Sequence, residues 1–369
     1  MKKRLTALCL SLTVCLSLLS ACSDGNESHS SAPKESKEID VTTYYVKHNF
    51  PEEKLSENEV LITAPAGSVL SVDTTFLEYT HMEGECQQKG TIERVDYTTD
   101  VYEDGVTYEK YVNVYLPYGY DPAQKYNVLY FQHGNKGNND FFKEEKYKNT
   151  LDNLFTSGKV DPVILVFTTY YLEQDQEKAN EIRKTEPDIP AGDGNYEGVP
   201  ANFWMEVVQD IIPAVESQYS TYTESFDEAG LIASRDHRGF SGYSRGSCCT
   251  WYMFHSALPY FKWWSPMSAT CVAGKTIREH PTDEEAYTYL KEAIDAHPDL
   301  DFFLYAGSGG PNDAPALRQQ MSYFEKQDAF SYGSDPRANN LCYTQSNFAH
   351  GDMYVPYYYY NTLQILFSE

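Results

Sequence analysis

Basic side chains are scarce in this 369-residue chain: 29 lysines and arginines stand against 54 aspartates and glutamates, a formal charge of −25. Such a surface repels phosphate backbones and anionic headgroups, so nucleic acid is excluded as a partner and a membrane can be met only through a covalent anchor. Apolar runs long enough to span a bilayer are missing after the first 19 residues, which excludes a transmembrane helix from the rest of the chain. Phosphate-cradling glycine loops and dinucleotide fingerprints are absent, so no cofactor is expected. His280, His297, Asp299 and Asp301 lie near one another, but Pro281 and Pro298 break any helical spacing that would converge them, and no metal site is expected. No internal repeat is present, which argues against solenoids and propellers.

What is present is enough for one large core: 41% of the residues are hydrophobic and 22% charged, which excludes a disordered chain. The first residues carry a compartment signal. Lys2, Lys3 and Arg4 precede an apolar run that ends in Leu19-Ser20-Ala21-Cys22. This is the pattern of a lipoprotein signal peptide (residues 1–21), with Cys22 as the lipidated first residue of a disordered tether (22–40) rich in Ser, Lys and Glu. The protein is then expected outside the cell, lipid-anchored to a bacterial membrane, and monomeric. Cys86, Cys248, Cys249, Cys271 and Cys342 remain after the leader. An oxidising exterior allows up to two disulfides among them, and their spacing does not set the pairing.

Residues 41–88 read as a small β appendage or a wrapping segment, because short β-like runs are broken by Pro65 and Gly67. From residue 89 to 369 the pattern sharpens into one domain. Residues 91–98 and 108–116 read as antiparallel strands around the Asp104-Gly105 turn, and 128–132 and 163–168 as short buried strands with a helix at 151–157 between them. A long Pro- and Gly-rich loop runs from 171 to 201, and Asn202 is placed to cap a helix reaching about 219, with Pro213 implying a kink. Strands at 239–243, 263–267, 302–306 and 341–345 then alternate with helices through 257, at 283–296, at 315–327 and at 352–367. Antiparallel strands followed by β/α alternation predict an α/β fold with a mixed, mostly parallel sheet covered by helices on both faces.

The chemistry centres on Gly242-Tyr243-Ser244-Arg245-Gly246. A Gly-x-Ser-x-Gly string alone is weak, and a glycine-rich turn around a buried serine is the plain alternative. Here a β run feeds the string and a helix-forming run follows it, the setting of a nucleophile elbow that lifts a serine hydroxyl above the sheet. A serine hydroxyl needs a base, and the base needs an orienting acid. In this fold they follow in the order Ser, acid, His. His350 is the single histidine after His297 and lies between the last strand and the terminal helix. Asp313 is the only carboxylate in the stretch Gly307-Ser308-Gly309-Gly310-Pro311-Asn312-Asp313 after the strand at 302–306; its alternative role is to cap the next helix. Two backbone N–H groups must hold the oxyanion: that of Arg245, and one from the loop beginning His133-Gly134-Asn135-Lys136, where Asn135 is the first choice ahead of Gly134 and Lys136. His133 reads as a structural residue of that loop. The loop at 171–201 and the tyrosines from 354 to 360 are candidates for an aromatic rim around a sugar substrate; packing of the terminal helix is the equal alternative for 357–360.

Several stretches resemble the esterase D-like group: Asn113-Val114-Tyr115-Leu116-Pro117, the His133-Gly134 loop, Ile212-Pro213-Ala214-Val215-Glu216, and His237-Arg238-Gly239-Phe240 ahead of the elbow. Within it the chain is similar to carbohydrate esterase family one, the feruloyl esterase domains attached to bacterial cellulosomal xylanases. The resemblance covers roughly the last three quarters of the chain. It implies an α/β-hydrolase that cleaves ferulate or acetate esters of arabinoxylan, with Ser244, Asp313 and His350 on the family's triad positions. The family usually has Met after the nucleophile and a Gly-Gly pair beyond it, where this chain has Arg245, Gly246 and Ser247. The Arg245 guanidinium would favour a polar or acidic acyl group. Two other readings stand beside a plant cell-wall esterase: a catalytically decayed, surface carbohydrate-binding lipoprotein, and an esterase for a non-plant ester.

Overall fold

The computed structural model describes residues 60–63, 82–135, 137–174, 202–275, 281–346 and 350–368. The leader, Cys22, the tether, most of the 41–88 segment and the rim loop from 175 to 201 lie outside them.

Nine strands form one sheet: β1 (Val60–Thr63), β2 (Thr91–Thr99), β3 (Tyr108–Leu116), β4 (Val128–Gln132), β5 (Ile164–Thr168), β6 (Arg238–Tyr243), β7 (Trp263–Met267), β8 (Phe303–Gly309) and β9 (Leu341–Ser346). Their spatial order is β1-β9-β8-β7-β6-β4-β5-β3-β2. The six from β5 to β9 are parallel, and the edges β2, β3 and β1 run antiparallel to their neighbours. Strands β4, β5 and β6 are buried along their whole length, as strands covered on both faces must be, whereas β2 is largely exposed in its first half and alternates exposed and buried in its second. Two apolar cores result. Val128, Tyr130, Phe240 and Trp264 point into one; Leu129, Phe131, Tyr243 and Met267 point into the other.

The helices are α1 (Glu145–Thr156), a helix over 203–216 called α2, α3 (Glu228–Ala233), α4 (Arg245–Ala257), α5 (Asp283–Ala296), α6 (Gly310–Phe324) and α7 (Val355–Thr362). Asn202 does not cap α2 with its side chain; its amide donates instead to Val101 C=O at 2.5 Å. Within α2, Glu206–Ile211 is a π-helical turn just ahead of Pro213, whose ring supplies no N–H to the helical ladder. That turn sets Glu206 in the interior, paired to Lys110 Nζ at 2.6 Å.

The chain places β5 on one side of β4 and β6 on the other. Connections therefore leave β4 and β6 in opposite senses, and their carboxyl ends mark the switch point at which α/β sheets bind ligands.

Candidate active site

Two residues end the strands at that switch point: Gln132 on β4, followed by His133 and Gly134, and Tyr243 on β6, followed by Ser244. Ser244 has φ 57° and ψ −117°, a strained backbone that a non-glycine residue adopts only when its surroundings force it. The forcing is visible in the flanking glycines. A β-carbon on Gly242 would lie 2.1 Å from Gly246 C=O, and one on Gly246 would lie 2.0 Å from Gln132 C=O. Only bare backbone lets β6 turn into α4 within one residue. The Ser244 N–H is fixed to Met267 C=O at 2.8 Å, and the residue is held half-exposed at the carboxyl end of β6.

His350 Nε2 lies 2.9 Å from Ser244 Oγ, within hydrogen-bond reach. Its ring packs beside Tyr243, with centroids 5.0 Å apart, and the Tyr243 hydroxyl accepts the N–H of Gly351. The residue just ahead of Ser244 thus holds the loop that carries His350.

The loop after β4 lies close to Ser244. His133 is buried beneath it, with Nδ1 2.7 Å from Gly134 C=O and Nε2 2.7 Å from Thr169 Oγ1. A carbonyl only accepts, so Nδ1 carries the proton and Nε2 accepts from the threonine. Lys110 Nζ in turn donates to Thr169 C=O at 3.0 Å, which joins this loop to the buried Lys110–Glu206 pair. His133 is structural, as expected. The N–H of Gly134 is donated to the Asp352 carboxyl, and the exposed Asn135 follows it. Arg245 opens α4 directly after Ser244, so its N–H stands ahead of the intrahelical ladder.

The Esterase family profile matches residues 105–322, more than half of the chain. The chain belongs to the Esterase family. A mutant of the feruloyl esterase module from Clostridium thermocellum, complexed with sinapinate, is 28% identical to this esterase with a TM-score of 0.66, covering 82% of this chain and 97% of the module. The ferulic acid esterase of Anaeromyces mucronatus, in complex with ferulic acid, shares the fold at 17% identity and TM-score 0.54, over 81% of this chain and 98% of its own. Endo-1,4-beta-xylanase Y of Acetivibrio thermocellus is 33% identical over 290 residues, 77% of this chain. The match takes in 24% of the xylanase, so the esterase spans about a quarter of that curated relative. The resemblance read from the motifs and the α/β-hydrolase architecture are both borne out, and the protein is a carboxylic ester hydrolase.

Other expectations for the esterase fare differently. The stretch 307–313 is not a loop: β8 runs on to Gly309 and α6 starts at Gly310, so Asp313 falls in the first turn of that helix, not ahead of it. The tyrosines at 357–360 do not form a rim. All four are buried in the core on one face of the sheet, and Tyr359 OH meets Ser241 Oγ at 2.6 Å. Cys86, Cys248, Cys249, Cys271 and Cys342 are buried free thiols, Cys248 and Cys249 as small residues of α4. Among the described residues no cluster of His, Cys, Asp or Glu is placed to hold a metal.

Sequence reasoning misses two contributors. From the string alone Tyr243 is only the variable residue of the elbow. Asp352, which in sequence reads as the start of the terminal helix, stands at the site; a carboxylate two positions after the single histidine that follows His297 is the signal that could have found it.

Proposed function

We propose that the protein hydrolyses hydroxycinnamoyl esters of plant cell-wall polysaccharide, ferulate foremost, through a Ser244–His350–Asp313 triad and an acyl-enzyme. The observation that carries the reading is the 2.9 Å approach of His350 Nε2 to Ser244 Oγ on a strained, positive-φ elbow at the sheet's switch point. Asp313 is the proposed orienting acid because α6 starts at the carboxyl end of β8, beside β9, whose following loop bears His350.

In the first half-reaction His350 takes the Ser244 proton as the oxygen attacks the ester carbonyl. The N–H groups of Arg245 and Asn135 hold the oxyanion, and His350 returns the proton to the departing sugar alkoxide. Asn135 is preferred over Gly134 because Asp352 already takes the Gly134 N–H. Water then attacks the acyl-enzyme, giving a proton to His350, which passes it to Ser244 Oγ as the ferulate leaves.

The likeness to a module complexed with sinapinate favours a phenolic acyl group over acetate. Arg245 beside the elbow favours a polar substituent on that group. The leader motif supports an extracellular esterase anchored through a lipid on Cys22. The test is hydrolysis of methyl ferulate and para-nitrophenyl acetate by protein lacking residues 1–22. A ferulate preference that vanishes in Ser244→Ala supports the reading; an acetate preference moves it to acetyl esters, and folded protein inactive on both overturns it. Palmitate labelling lost in Cys22→Ala tests the anchor.

A further inference from the structure

Asp352 is a half-buried carboxyl that the mechanism above does not use. Three groups converge on it. A β-carbon on Gly134 would lie 3.0 Å from Asp352 Oδ1 and 3.3 Å from Ser244 Cβ, so the carboxyl, the loop after β4 and the nucleophile meet at one point. The Gly134 N–H donates to the carboxyl, and His350 lies within electrostatic reach of it. The backbone on either side is pinned: Gly351 donates its N–H to the Tyr243 hydroxyl, and the short helix Asp352–Tyr354 leads into α7, whose residues are buried.

Resting on the esterase reading, we infer that Asp352 is a positioning residue. It ties the base-bearing loop to the oxyanion loop through Gly134, aims the next N–H, that of Asn135, at the scissile carbonyl, and favours the imidazolium that His350 becomes during attack. A side chain at 134 would crowd this contact, since its β-carbon would already stand 3.0 Å from the carboxyl. Burial raises the Asp352 carboxyl to about 6, while His350 and the Gly134 N–H pull it the other way. Among the described residues His350 is the titratable group that acts on it. A carboxylate kept in a site that resists its charge points to a task for that charge.

The experiment compares Asp352→Asn and Asp352→Ala with the parent esterase on methyl ferulate and para-nitrophenyl acetate across the pH range, with thermal unfolding alongside. Asparagine can still accept the Gly134 N–H but carries no charge. Asp352→Asn should lower kcat several-fold at nearly constant KM and move the acid limb of kcat/KM to lower pH by about half a unit or more, since the imidazolium loses a counter-charge. Its unfolding midpoint at neutral pH should be no lower than the parent's. Asp352→Ala should lose more, about 100-fold in kcat, because the oxyanion loop is released. Unchanged or raised kcat with an unchanged pH profile in Asp352→Asn overturns the inference, as does an activity loss that tracks a lower unfolding midpoint. Ser244→Ala separates the two levels: parent-like turnover in that variant would remove the reading of Ser244 as nucleophile, and this inference with it.

Discussion

The α-carbon of Gly246 sits so close to Gln132 that a β-carbon there would lie 2.0 Å from the Gln132 carbonyl oxygen. Strand β4 and the start of α4 are therefore in backbone contact, and the elbow that presents Ser244 depends on it. Gly246→Ala should cost about 2–4 kcal/mol of stability and abolish turnover, because the elbow and the end of β4 must part. Gly105→Ala is the control: φ there is also positive, at 78°, but nothing lies within 4 Å of the added carbon. It should cost only about 1 kcal/mol and leave activity intact. Chemical denaturation of both variants checks the pair.

Glu206 and Lys110 are fully buried, 2.6 Å apart, with Tyr97 OH at 2.5 Å and Tyr102 OH also donating to the carboxylate. Glu206→Gln leaves the ammonium in the interior without its counter-charge and should cost about 3–5 kcal/mol. Because Lys110 also donates to Thr169, kcat should fall with it. Urea unfolding beside steady-state kinetics checks both.

How much of the fold and site is legible in the sequence depends on whether a signal is local or long-range. The strand at 263–267 and the helix at 283–296 have the bounds read from the sequence, since an apolar run ending in Pro266-Met267 and a Thr282 capping box are local signals. Ser244 and His350 are legible because the elbow's strand-turn-helix setting is local and only one histidine follows His297. The 307–313 stretch misleads because its glycines suggest a loop, whereas Gly309 is extended and ends a strand, and Pro311 suits the first turn of a helix. Four consecutive tyrosines at 357–360 have no periodicity from which burial could be read; partners such as Ser241, 118 residues away from Tyr359, decide it. The Lys110–Glu206 pair is similarly distant along the chain and as invisible to pattern.

Asp352 makes stability depend on pH in a direction opposite to an ordinary ion-paired acid. Its carboxyl titrates near 6 in the fold, against an ordinary value of 3.8. A raised acid supports the folded state while protonated; that support is complete below the ordinary value and is lost as pH rises through the raised one. Asp352→Asn should therefore match the parent in strongly acid solution and exceed it by about 1–2 kcal/mol at neutral pH, after discounting for partial exposure. Denaturation midpoints on both sides of the transition check the sign.

Asp313→Asn should leave Ser244 and His350 in place yet lower kcat by about 10³–10⁴-fold, as loss of the orienting acid does in serine hydrolases. Hydrolysis of para-nitrophenyl acetate is sensitive enough to measure the residual rate. Near-full activity would move the orienting role away from Asp313.

The central claim is that Ser244 is a nucleophile activated by His350. It is tested most directly by treating the folded protein with a fluorophosphonate, measuring intact mass and mapping the labelled peptide, beside His350→Ala. The account predicts one adduct, on Ser244, formed far more slowly in the variant. No adduct, an adduct on another residue, or equal rates in both proteins would contradict it.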